Sequence, residues 1–107
     1  MLTLPIKRKW FDMIVSGEKR EEYRAPTAYW KKRFVNEAKR QNAERPGEVK
    51  GFNGMRVRIR AGYSRQAPQA ELTLATLYTD EGHAEWGAEP GVRYLVLFIK
   101  SVEVLKE

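Results

Sequence analysis

The stretch Val92-Arg93-Tyr94-Leu95-Val96-Leu97-Phe98-Ile99 constrains the fold most, because seven of its eight residues are apolar. A strand with apolar side chains on both faces belongs in the middle of a sheet, covered from both sides. Its neighbours alternate instead. Met55, Val57, Ile59 and Ala61 share one face of a strand over Met55 to Gly62, and Arg56, Arg58 and Arg60 share the other. Ala70 to Tyr78 reads as the next strand, with Leu72, Leu74 and Tyr78 on one side and Leu77 on the other. Ser101 to Leu105 alternates again, after a bend. Near the start, Leu2, Leu4 and Ile6 line one face of a first strand, and Pro5, which has no backbone donor, marks it as an edge or a turn.

Two segments carry helical spacing instead. Between Trp10 and Ser16, Trp10 stands over Ile14 and Phe11 over Val15. Lys7-Arg8-Lys9 opens this helix, where three cations oppose the positive helix N-terminus and are either exposed or facing an anion. A second helix runs from Ala28 to about Lys39 behind the capping hydroxyl of Thr27. Trp30, Phe34 and Ala38 form its apolar stripe, which reads as core, and Lys31, Lys32, Arg33, Lys39 and Arg40 crowd the rest. Gln41 to Gly54 reads as a long surface connection. With most strands in the second half, the expected class is α+β, a single domain over 1–107 with five or six strands and two helices.

The join between the first helix and the strand after it concentrates chemistry. In Gly17-Glu18-Lys19-Arg20-Glu21-Glu22-Tyr23-Arg24, six of eight residues are ionised at neutral pH. Gly17 sits where the helix stops, since glycine enters the left-handed cap without a steric penalty. On a regular strand Glu22 and Arg24 share a face, with Glu21 and Tyr23 opposite. Lys19 lies in the turn and is free to converge with Glu22 and Arg24. The same three residues also suit a structural ion network tying helix, turn and strand.

Gly17-x-Lys19-x-x-Glu22-x-Arg24 resembles the G-x-K-x-x-E-x-R motif of the ASCH domain, a branch of the PUA-like superfamily. The resemblance runs from Leu2-Thr3-Leu4-Pro5-Ile6 to Tyr29-Trp30-Lys31-Lys32-Arg33-Phe34. It resumes at Arg60-Ala61-Gly62-Tyr63-Ser64 and Glu85-Trp86-Gly87-Ala88-Glu89-Pro90, phrases similar to small stand-alone bacterial and phage members. It implies a small mixed β-barrel of PUA-like type with the helices flanking a cleft at the motif.

The residues suit two functional classes. The first is an RNA-binding module. Twenty Lys and Arg against fourteen Asp and Glu leave a net charge of +6, which favours a polyanionic partner. Arg56, Arg58 and Arg60 recur about 7 Å apart along one strand face, within reach of a nucleic-acid backbone. Their alternative is cross-strand pairing with Glu71 or Glu103. Tyr63 and Trp86, in loops, are candidates for stacking on bases, and Trp86 equally suits a lid over the core. The resemblance implies the same, since PUA-like domains commonly bind RNA. With Lys19 and Arg24, these residues make up the expected site for single-stranded RNA or a nucleotide.

The second class is a hydrolase in the same cleft. The resemblance extends to acetylcytidine amidohydrolases, in which the motif lysine is essential, and to proteins reported as ribonucleases. The amidohydrolases carry threonine where this chain has Glu22, so their chemistry does not transfer intact. A ribonuclease variant would use Lys19 as base, with Glu22 and either Tyr63 or Ser64 around the scissile phosphate. A protein-interaction module is a third class, on which nothing in the sequence bears specifically. No cofactor is expected, and a divalent metal only for a ribonuclease. His83 is the sole histidine and there is no cysteine, which excludes disulfides and thiolate metal sites. Lacking a signal-like or membrane-length apolar run, the chain is expected to be cytoplasmic, with no membrane partner.

Overall fold

The computed structural model describes residues 1–106. In chain order the elements are β1 (Thr3–Ile6), α1 (Arg8–Val15), β2 (Glu21–Arg24), α2 (Ala28–Glu44), β3 (Arg56–Ala61), β4 (Gln69–Glu81), a 3-10 turn at Ala84–Trp86, and β5 (Arg93–Lys106). This is the expected α+β class, with two helices and one mixed five-stranded sheet in the order β1-β3-β4-β5-β2. The β1–β3 pair is parallel and the others are antiparallel. Neither helix is long and apolar enough to cross a membrane.

The main core fills one side of the sheet. Leu4, Val57, Ile59, Leu72, Leu74 and Leu97 are fully buried there, against Phe11 and Ile14 of α1 and Phe34 of α2. Trp30 packs half-buried beside them and Ala38 is buried, so the stripe on α2 is core. The apolar run around Leu97 occupies a strand paired on both sides, to β2 and to β4. Its second face is covered around Val96, while Phe98 on that face stays exposed. Val96 packs with Tyr23 and Ala88 in a smaller cluster, with Trp86 and Tyr94 at its margin. Residues 82–88 fold over this side. Gly82 permits that approach, since a Cβ there would lie 2.6 Å from the Tyr23 ring and 2.7 Å from Ala88.

Three boundaries differ from expectation, each for a physical reason. The bend expected before Ser101 does not end a strand: β4 and β5 stay paired, and the register shifts between Thr73 and Leu74 so that Lys100 is skipped. What reads as two strands is therefore one, and the count among the described residues is five. Helix α2 continues past Lys39 to Glu44, held by Arg40 pairing with Glu37 and Glu44 along its surface. Buried Gln41 also anchors it, accepting from the Arg56 backbone N–H (2.8 Å) and donating to the Arg56 carbonyl (2.7 Å). Finally, β4 runs on to Glu81, where the sequence suggests a loop from Thr79.

The sheet is not closed. No backbone ladder joins β1 to β2 among the described residues, and these two short strands are its edges. The expected barrel is thus not formed by strand pairing. A side chain spans the gap instead, as Arg24 Nη2 donates to the Pro5 carbonyl at 3.0 Å.

The position of β5 predicts unequal responses along one strand. Leu97→Ala should cost about 2–5 kcal/mol in urea unfolding, whereas Phe98→Ala, which faces outward, should cost far less. Equal losses at both positions would contradict this packing.

Candidate functional site

The site begins at the end of α1. Gly17 adopts φ 86°, the left-handed conformation expected of it, and its N–H donates to the Ile14 carbonyl at 3.1 Å. The Lys19 N–H then reaches back to the Met13 carbonyl at 2.9 Å. This turn drives Lys19 inward until its side chain is 1% exposed. Its Nζ donates to the Trp86 carbonyl at 2.6 Å and lies 3.3 Å from Glu22 Oε1. The ammonium also sits 4.6 Å from the Tyr23 ring centre and 5.2 Å from that of Trp10, within cation–π range.

Glu22, itself buried, faces a second cation: its Oε2 lies 3.7 Å from Arg24 Nη2. Arg24 stacks over the Trp30 ring at 5.4 Å while holding Pro5. Lys19, Glu22 and Arg24 therefore converge, and their contacts join α1, β1, β2 and the loop carrying Trp86.

Beside this network lies a cleft of about 490 Å³. Pro5, Ile6 and Lys7 form one wall, followed by Trp10, Glu22, Tyr23 and Arg24. Gly62, Tyr63, Trp86, Gly87 and Tyr94 complete it. Among the described residues Glu22 is the one carboxylate on that surface. Lys19 does not line the cleft; it is enclosed behind residues that do. It holds Glu22 and the Trp86 backbone in place and is shielded by the Trp10 and Tyr23 rings.

On the other side of β2, Glu21 is also buried. The Tyr23 hydroxyl donates to Glu21 Oε1 (2.9 Å) and accepts from the His83 backbone N–H (2.9 Å). The His83 ring lies 3.8 Å from Glu21 and 3.5 Å from Glu85, and packs on Trp86 with ring centres 4.6 Å apart. The loop bearing Trp86 is thus anchored at both ends, by Lys19 and by Tyr23.

The other expected site residues are spread more widely. Tyr63 lines the cleft at its rim, 85% exposed, and Trp86 lines it half-buried. Arg56, Arg58 and Arg60 do not line it. Arg56 lies 3.6 Å from Glu71, one of the two carboxylates considered for cross-strand pairing. Arg58 Nε is buried with no hydrogen-bond partner among the described residues. Arg60 donates to the Gly62 carbonyl at 3.2 Å, so the arginine row ends beside the cleft mouth. Ser64 lies outside the cleft and accepts from the Gln66 N–H within its own turn (3.1 Å).

Trp10, Tyr23 and Tyr94 are cleft residues that the sequence does not single out. Strand alternation directs Tyr23 away from Glu22, yet the cleft wraps the free edge of β2 and meets both of its faces. No local pattern separates these rings from ordinary core aromatics. Among the described residues no group of three or more His, Cys, Asp or Glu is placed to hold a metal.

Burial pulls the Lys19 ammonium below its ordinary pKa of 10.5, against the opposing pull of Glu22. A depressed folded value makes the Lys19 contribution to stability complete above pH 10.5 and lost as the pH falls through that folded value. Burial raises the Tyr23 hydroxyl above its ordinary 10.0, so its contribution is complete below pH 10 and is lost above it. Urea unfolding between pH 7 and 10.5 should show wild type gaining on Lys19→Met as the pH rises. A pH-independent difference would contradict a charged, buried Lys19.

A double-mutant cycle tests the pairing. Lys19→Met alone leaves Glu22 with only the more distant Arg24 and should cost about 3–5 kcal/mol. Adding Glu22→Gln should recover part of that loss. Strictly additive losses would show that the two side chains do not interact.

The chain matches no protein-family model, no curated protein and no solved structure, and the site rests on its own geometry.

Proposed function

We propose that the cleft binds single-stranded RNA or a nucleotide, and that the chain is a cytoplasmic RNA-binding module. One observation carries this reading: five aromatic residues, Trp10, Tyr23, Tyr63, Trp86 and Tyr94, line a cleft that also contains Lys7 and Arg24. Rings provide stacking faces for unpaired bases, and flanking cations neutralise phosphate. The volume falls within the range of small-ligand sites, and the net charge of +6 favours the encounter electrostatically. The motif resemblance supports an ASCH-type, PUA-like assignment. In that reading the barrel is completed at the β1–β2 gap by Arg24 and Pro5 rather than by a backbone ladder.

A hydrolase in the same cleft is the second reading, and the depressed pKa of Lys19 favours it, since a general base needs that shift. Its requirement is access, because the loop at Trp86 must open before any substrate touches Lys19. On this reading, acetylated cytidine or unstructured RNA is turned over, with or without magnesium or manganese, and Lys19→Met lowers the rate by about 10²–10⁴-fold.

Fluorescence anisotropy with a short unstructured RNA tests the binding reading. Contact with three or four phosphates gives a slope of log K against log salt of about −2 to −3. Lys7→Ala should flatten that slope by about 0.7, and Trp86→Ala should weaken binding by about 1–3 kcal/mol. Absent or salt-independent binding would contradict the proposal.

A further inference from the structure

The cleft's polar groups carry more information than its rings, and the selectivity they confer rests on the RNA-binding reading. Stacking accepts any base, so selectivity must come from the hydrogen-bonding groups that a stacked base meets. Among the described residues the charged side chains there are exposed Lys7, Glu22 and Arg24. Of the tyrosine hydroxyls, that of Tyr23 is committed to Glu21 and the His83 backbone, that of Tyr94 accepts from the Glu89 N–H, and Tyr63 stands at the exposed rim. Glu22 is held from behind by Lys19 at 3.3 Å and from the side by Arg24 at 3.7 Å. Both contacts exceed the distance of about 2.7–2.9 Å of a tight charge-assisted hydrogen bond. A carboxylate has about four lone-pair sites, so two loose cation contacts leave it able to accept more. Arg24 uses one N–H on Pro5, out of five.

We propose that the cleft selects guanine, read on its Watson–Crick edge by Glu22 and Arg24. Guanine is the one common base that presents two adjacent donors on that edge, N1–H and the N2 amine, followed by an acceptor, O6. The two Glu22 oxygens accept from the two donors, and Arg24 donates to O6. Adenine and cytosine offer a single amine beside a ring nitrogen that accepts, which turns a lone pair toward a buried carboxylate. Uracil offers one donor between two carbonyls. Leaving a buried acceptor unmatched is costly, which is how a site built for hydrogen bonds rejects a near relative. Lys19 is a positioning residue here: it fixes the carboxylate and does not touch the base.

Competition against a labelled short RNA, at one fixed salt concentration, reads this on the wild-type protein. The competitors are the four common nucleoside monophosphates and three analogues of GMP. GMP should compete better than AMP, CMP and UMP by about 5- to 150-fold, the range for one good bidentate pair. Inosine monophosphate, which lacks the N2 amine, should lose part of that advantage. 1-Methylguanosine monophosphate, with N1–H blocked, should lose nearly all of it. The 7-deaza analogue should match GMP, because its altered atom lies on the other edge. Glu22→Gln should level the series, and Glu22→Asp, should the first variant not fold, should compress it. Equal competition by all four bases, or a preference for another base, overturns guanine selection and leaves RNA binding standing. Failure of the labelled RNA itself to bind overturns both.

Discussion

The structure depends on a buried cation. A lysine ammonium has little reason to leave water, and Lys19 does so only because Glu22, the Trp86 carbonyl and two aromatic faces replace its hydration. The partners come from three parts of the chain, Trp10 from α1, Glu22 and Tyr23 from β2 and Trp86 from the 82–88 loop, so the contacts around Lys19 specify where these parts meet. It also lies where two apolar clusters adjoin, with Trp10 packed against the main core and Tyr23 part of the smaller one. Replacing the pair by apolar residues could maintain stability, but it would remove the carboxylate that faces the cleft.

That arrangement explains why the opening lies where it does. Strands β1 and β2 are the sheet's two edges and are only four residues each. The much longer β4 and β5 pair along most of their length and absorb curvature through register shifts. The edges draw near without forming a ladder, and Arg24 bridges them to Pro5. The remaining space is walled by strand ends, one helix and two loops, with Glu22 and Arg24 pointing from the edge strand. Binding sites favour such junctions because side chains from several elements meet there.

Much of this was legible from the residues. Strand alternation located Val57 and Ile59 in the core, the double-faced run around Leu97 marked an inner strand, and Gly17 announced the helix end. Strand parity put Glu22 and Arg24 on one face and left Lys19, in the turn, free to join them, as it does. What was not legible is long-range. That Lys19 is enclosed depends on Trp86, 67 residues away. Tyr23 reaches the cleft because a distant loop covers the second face of β2, which strand parity does not encode. Helix α2 outran its apolar stripe because ion pairs and Gln41, rather than hydrophobic contacts, hold its last turns.

The central claim is that the aromatic cleft beside the Lys19–Glu22 pair, and not the arginine face of β3, is where RNA binds. The three tryptophans allow one direct measurement, because Trp10 and Trp86 line the cleft and Trp30 does not. In ¹H–¹⁵N spectra recorded while a short single-stranded RNA is added, the indole N–H signals of Trp10 and Trp86 should shift saturably while that of Trp30 stays in place. Shifts confined to Arg56, Arg58 and their strand neighbours, with both cleft indoles unmoved, would contradict the account.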